Sequence, residues 1–281
     1  MATLYLVSTP IGNLSDLSER AAQVLGEVER IFAEDTRRTG RLLRHLRVDT
    51  PLTSLHRHNE AARAGRVLEC LGSGRDAAVV SDAGTPLVSD PGARVVDAAL
   101  EAGHVVVPVP GPSAILAALA GSGLPADRFA FLGFAPRKGV ERRALLRRVA
   151  QSPETAVLFE APGRLCRLLA DLERACGPGR RVAVAREMTK LHEEFVRGTL
   201  AEARAHFGRR PPRGEVTLVV DRSPGGEPDE SAARELAAEL LAGGARPREA
   251  VRELTARLGT PRNRAYRIVH STVARDRPET E

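Results

Sequence analysis

Aromatic residues are scarce in this chain. Phenylalanine, tyrosine and tryptophan together make 3% of its 281 residues, and tryptophan is absent. Few rings are therefore available for stacking on nucleic-acid bases. Lysine is nearly missing too, with Lys138 and Lys190 standing alone among 42 basic residues. The three cysteines, Cys70, Cys166 and Cys176, include no C-x-x-C pair, so neither a disulfide framework nor a zinc site is indicated. His56 and His58 in LHRHNE have no third ligand beside them and read as a polar loop, so no metal is expected. No run of eighteen apolar residues occurs, and the first segment, ATLYLVS, has no basic n-region. Neither a membrane span nor an export signal is expected, and the chain reads as cytoplasmic. G-x-G-x-x-G and G-x-x-x-x-G-K-[ST] are also missing, which argues against ordinary dinucleotide binding and against a P-loop.

What is present is arginine. A net charge of +6 suggests a polyanionic partner, although so uniform a choice of arginine reflects codon bias in part. Clustering is the stronger signal: Arg37, Arg38, Arg41, Arg44 and Arg47 lie along one segment, Arg137 to Arg148 in RKGVERRALLRR, and Arg209 to Arg213 in a third. A solvated helix face explains any one of these; three together favour nucleic acid.

Hydrophobic periodicity gives alternating strands and helices. Strands are expected at 3–8, 30–35, 77–82 and 104–110, separated by helices over LSERAAQVL, TRRTGRLLRHL, 59–71 and 91–102, with another from Ser113. That is a doubly wound α/β pattern. A hinge-like stretch, GSGLPADRFAFLGFAPRKG, leads to a second series with strands at 155–161, 181–187 and 214–221 and a helix over 164–175. Beyond the linker SPGGEPDES, two or three amphipathic helices follow. The expected division is an α/β lobe over 1–121, a second over 122–222, and a linker with a small RNA-contacting helical domain over 223–281.

In VSDAGTPLVSDPG the same phrase occurs twice. Asp82-Ala83-Gly84-Thr85 follows a buried strand, where open α/β sheets bind ligands. Asp90 precedes Pro91 and an apolar-periodic segment, so it is expected to cap a helix rather than to serve a site. TPIGNLSD and PGPSAILAALAG place two further small-residue turns at strand ends, Ser113 being a helix cap.

These segments, with FAEDTRRTGRLL, FLGFAPRKG, LFEAPGRL, AREMTKLHEEFVRGTL and GEVTLVV, resemble in order and spacing the 16S ribosomal RNA cytidine 2′-O-methyltransferases of the tetrapyrrole-methylase superfamily. The resemblance spans residues 3–220. It implies a two-lobed α/β tetrapyrrole-methylase-like fold with a small C-terminal helical domain, usually as a homodimer. It implies S-adenosylmethionine as cofactor and the ribose 2′-hydroxyl of a decoding-centre cytidine, in 16S rRNA or the small ribosomal subunit, as acceptor. A tetrapyrrole methyltransferase and a non-catalytic RNA-binding module are the alternatives.

Carried onto this chain, the resemblance puts Pro10, Asp82, Ala83, Gly84, Thr85, Val88, Ser113, Ala114, Phe159, Glu160, Met188, Val216 and Thr217 around the cofactor. Methyl transfer from a sulfonium needs alignment and a proton acceptor, and arginine cannot serve as that acceptor. Lys190 in EMTKLHEE is the candidate base if its pKa is lowered; Glu193, Asp35 and Glu34 are the alternatives, and Arg37 and Arg164 are candidate phosphate contacts.

Overall fold

A computed structural model describes residues 2–57, 59–210, 212–224, 230–258, 260 and 262–275. They form two compact units, Met1–Asp221 and Arg222–Glu281. His58 and most of the linker SPGGEPDES lie outside the described residues, as does Pro211 within the third arginine cluster.

The first unit opens with β1 (Thr3–Val7), α1 (Glu19–Glu27), β2 (Arg30–Ala33), α2 (Thr36–Leu46), β3 (Leu52–Ser54), α3 (Glu60–Gly72), β4 (Ala77–Val80), α4 (Ala93–Glu101) and β5 (Val105–Val109). The strands are all parallel, in the order β3-β2-β4-β1-β5. All four residues of the central strand β4, Ala-Ala-Val-Val, are buried because helices cover both faces. Val24, Leu25, Leu42 and Leu43 of α1 and α2 form one apolar layer, and Val67, Leu71, Val95 and Ala99 of α3 and α4 the other. The chain leaves β1 toward β2 on one side and leaves β4 toward β5 on the other. These neighbouring strands therefore mark the topological switch point, and the loops after them flank a crevice.

The unit continues with α5 (Ala114–Ser122), β6 (Phe129–Phe134), α6 (Gly139–Gln151), β7 (Thr155–Glu160), α7 (Leu165–Cys176), β8 (Arg181–Arg186), β9 (Glu194–Thr199), α8 (Leu200–Arg209) and β10 (Val216–Val220). These strands run in the order β6-β7-β10-β8-β9, and only β6 and β7 are parallel. Leu165, Leu168, Leu169 and Leu172 make the buried stripe of α7 at helical spacing. The stretch read as a hinge contains a strand, β6, paired with β7. Helix α5 carries no charge and packs Ile115, Ala118 and Leu119 with Val157, Ala185 and Val219 of the second sheet. Burying Ile115 and Leu119 contributes about 2 kcal/mol each toward joining the two sheets. Arg142, from the second arginine cluster, is buried; its Nε donates to Asp171 at 2.7 Å and its Nη1 to the Pro136 carbonyl at 2.8 Å. That arginine is structural.

The second unit holds α9 (Glu230–Ala242), α10 (Pro247–Leu258) and α11 (Arg262–Arg275) around a core that includes Ala237, Leu254, Ala265 and Val269. No helix among the described residues is long and apolar enough to cross a membrane.

Candidate functional site

A cavity of about 310 Å³ opens within the first unit, beside the loops that follow β1 and β4. The loop after β4 is tied to the loop after β1 by paired bonds, Thr9 N–H to Gly84 O and Gly84 N–H to Thr9 O, both 2.9 Å. The Thr9 hydroxyl also donates to the Ser81 carbonyl at 3.1 Å. Both Gly84 backbone groups are thus used inside the protein. A Cβ at Gly84 would meet Ile11 at 3.6 Å and Pro112 at 3.7 Å, which is ordinary contact. The glycine is there for its φ of +80°, not for want of room. Leu87 and Ser89 follow at φ +72° and +71°, and across the site Glu187 and Thr189 take +49° and +66°. Among the described residues, four of the five left-handed non-glycine ones therefore lie in the loops after β4 and β8, and strain of this kind concentrates at functional sites.

Eleven of the thirteen residues expected around the cofactor line the cavity: Asp82, Ala83, Gly84, Thr85, Val88, Ser113, Ala114, Phe159, Glu160, Val216 and Thr217. Ser113 also caps α5, its side chain accepting from the Leu116 N–H at 3.4 Å. Pro10 is not in the wall, its place being taken by Ile11; Met188 is buried behind it with Ile11 and Ile115. Phe134 was not anticipated. An extra residue in β6, accommodated by Gly133 at φ +68°, is a β-bulge that pairs Phe134 with Phe159. Their rings stand 5.4 Å apart and form an aromatic wall, Phe134 remaining 56% exposed.

Both copies of the repeated phrase reach the cavity, which corrects the reading of Asp90 as a helix cap. Helix α4 begins at Ala93 with Gly92 as its N-cap. Its free N–H groups are taken by Glu60 from α3, which accepts from Gly92 N at 3.1 Å and Arg94 N at 2.8 Å. Asp90 is left to line the cavity with Asp82 and Ser89. Burial, then the charge of Asp82, push its carboxyl up to about 6, against a hydrogen bond from Ser81 and the charge of Arg57. Glu34 is raised as well, by burial and then by Asp90 and Asp82. Asp82 accepts from the Asp35 N–H at 2.8 Å and faces Arg38 at 3.7 Å. At the opposite wall the Glu160 carboxylate is buried; one oxygen accepts from Ala161 N at 2.8 Å and meets Arg164 at 2.5 Å, whereas the other, Oε2, has no partner. A buried acceptor left open beside a cavity calls for a ligand donor.

The three expected catalytic residues do not line the cavity. Asp35 caps α2, accepting from Arg37 N at 2.8 Å, and its bond to the Arg37 side chain, with the backbone bond next, holds its carboxyl down at about 2. Arg37 is thereby engaged, as Arg164 is with Glu160. Glu193 accepts from Thr189 N at 2.6 Å and shapes the loop after β8. Lys190 Nζ donates to Glu187 at 2.9 Å and to Glu215 at 3.1 Å. Burial by itself would lower its pKa, but the two carboxylates outweigh burial and raise it, the reverse of what a base needs. Glu215 lines the cavity, and a Cβ on Gly12 would overlap the Lys190 side chain at 2.5 Å, so Lys190 sits between the cavity edge and the loop after β1. Among the described residues no cluster of three or more metal-binding side chains occurs.

Residues 3–204 match the family of tetrapyrrole (corrin/porphyrin) methylases. Two relatives, both called ribosomal RNA small subunit methyltransferase I, are similar nearly end to end. That from Synechocystis sp. is 45% identical over 95% of this chain and 97% of its own length. That from Micromonospora olivasterospora is 46% identical over 98% of this chain and 89% of its own. Among solved structures, uroporphyrin-III C-methyltransferase from Thermus thermophilus complexed with S-adenosylhomocysteine matches with a TM-score of 0.56 at 21% identity, covering 78% of this chain and 97% of that one.

Proposed function

Because the chain belongs to the tetrapyrrole methylase family, and within it to the ribosomal RNA small subunit methyltransferase I group, we propose that it methylates the ribose 2′-hydroxyl of a decoding-centre cytidine in 16S rRNA. It is an S-adenosylmethionine-dependent methyltransferase; the nucleotide and the atom modified are our reading. Identity of 39–47% to relatives of that name, over most of the chain, supports ribosomal RNA as the substrate, the solved neighbours at 16–22% identity support the fold alone, and the nucleotide and atom rest on the family resemblance of the sequence motifs. A homodimer and a cytoplasmic setting complete the reading and rest on the family resemblance.

The cavity suits the cofactor. Phe134, Phe159 and Val216 offer apolar and aromatic surface, Glu160 Oε2 an acceptor for a hydroxyl or amine, and the Asp82–Asp90 pair an anionic wall for a cation. When bound there, S-adenosylmethionine supplies a methyl group on a positive sulfur. The protein's task is then to hold the 2′-oxygen in line and to accept its proton. Asp90 takes that proton in our reading, being a cavity carboxylate whose affinity for a proton is raised, its pKa pushed up to about 6 by burial and by Asp82. The exposure of Arg38, Arg41 and Arg44 on α2 supports their reading as phosphate contacts.

Lys190 remains a cation and positions Glu215 at the cavity edge. Lys190→Arg is therefore expected to keep the single-turnover rate within a fewfold of wild type across pH, whereas a drop of about 100-fold would restore Lys190 as the base. The reading as a whole is tested by incubating the protein with tritiated S-adenosylmethionine and, separately, naked 16S rRNA, assembled small subunits and uroporphyrinogen. Label in RNA or subunits is expected; label in the tetrapyrrole alone would replace this function with the family's other one.

A further inference from the structure

The second unit carries a groove of about 770 Å³ between α10 and α11 that no step of methyl transfer uses. Arg248, Arg252 and Thr255 line it from α10, one helical turn apart, and Arg262, Tyr266 and His270 line it from α11 at a spacing of four. Tyr266 is 56% exposed although it is one of only two tyrosines in the chain, and its ring lies 4.1 Å from the His270 ring. Exposed apolar rings are costly where nothing covers them, and here the ring is set among guanidinium groups.

Those guanidinium groups have no carboxylate partner among the described residues. Among the described residues none forms an ion pair with Arg248, Arg252 or Arg262, and α11 contains no acidic residue. The two acids of α10 are engaged elsewhere, Glu249 with the Arg246 N–H at 3.1 Å and Glu253 with Arg257 at 2.8 Å. Arginines with no ion-pair partner among the described residues, set around an open aromatic pair, combine cations that can meet phosphates with a ring on which a base can stack.

We propose that this groove binds single-stranded RNA, with Arg248, Arg252 and Arg262 on phosphates and the Tyr266–His270 pair stacked on an unpaired base. The proposal rests on the reading of the substrate as RNA, but the site is separate from the methyl-transfer cavity. Its test uses the full chain and a fluorescein-labelled 12-nucleotide single-stranded RNA, titrated by anisotropy across salt.

Tyr266→Ala should weaken binding by about 5-fold or more, and Tyr266→Phe, which keeps the ring, should bind like wild type. Arg252→Gln should reduce the slope of log affinity against log salt by about 0.7. S-adenosylmethionine affinity should be unchanged in all three, since the first unit is untouched. Wild-type RNA affinity and salt slope in Tyr266→Ala and Arg252→Gln would overturn the proposal, whatever the wild type methylates. So would equal losses in Tyr266→Phe and Tyr266→Ala, because stacking could not then be the cause. Failure of the methylation reading would show instead as absent methyl transfer by the wild type with these binding differences intact.

Discussion

Asp90→Asn should slow single-turnover methyl transfer by about 100-fold or more at pH 7.5 and, at the same pH, make the protein more stable. The two effects share one cause. Burial and the neighbouring Asp82 charge lift the Asp90 carboxyl from 3.8 to about 6, so the folded protein holds its proton more tightly than the unfolded chain does. Folding stability is therefore greatest with respect to this group below pH 4, declines as pH rises through about 6, and is constant above. Asparagine removes that decline. The melting temperatures of wild type and variant should converge near pH 4 and separate up to pH 6, the variant remaining higher. Activity runs the other way, since only the ionised carboxylate accepts the ribose proton: the wild-type rate should fall below pH 6, and the residual rate of the variant should be flat there. Single-turnover rates at saturating cofactor and RNA, with melting curves from pH 4 to 8, separate these outcomes. A variant rate within a fewfold of wild type would remove Asp90 as the proton acceptor.

Gly84→Val should raise the dissociation constant for S-adenosylmethionine by about 10-fold or more. The residue stands at φ +80°, where a β-branched side chain is strained by about 1–2 kcal/mol. Relieving that strain means rotating the peptide and breaking the paired 2.9 Å bonds to Thr9 that fasten the cavity loop to the loop after β1. Asp82, Thr85 and Asp90 would lose their common frame. Because the space at Gly84 accepts a methyl group, Gly84→Ala should fall between the two, limited by backbone conformation alone. Calorimetry decides: unchanged affinity in Gly84→Val would mean that the loop is not part of the cofactor site.

Much of the site could be read from residues alone because its parts follow strands directly. Asp82 to Thr85 come straight after β4, and Ser113 caps α5, so local pattern placed them. The residues whose surroundings differ from the sequence expectation depend on partners remote in sequence. Asp90 looked like a cap since nothing in its neighbourhood announces that Glu60, 32 residues upstream of Gly92, does the capping. Lys190 looked titratable since its second carboxylate, Glu215, is 25 residues away. Phe134 was hidden by the bulge at Gly133, which shifts the strand register by one residue. Strand β9, Glu-Phe-Val-Arg-Gly-Thr, escaped because an edge strand has little apolar alternation to display.

The central claim is that a ribose hydroxyl, not a base or a tetrapyrrole carbon, receives the methyl group. The direct measurement is to label 16S rRNA or small subunits with tritiated S-adenosylmethionine and the purified protein, digest the RNA to nucleosides, and identify the labelled one by chromatography and mass spectrometry. The predicted result is a single labelled product, 2′-O-methylcytidine, formed about 100-fold more slowly by Asp90→Asn. Label in a base-methylated nucleoside, or none in RNA under conditions where the cofactor binds, would contradict the account.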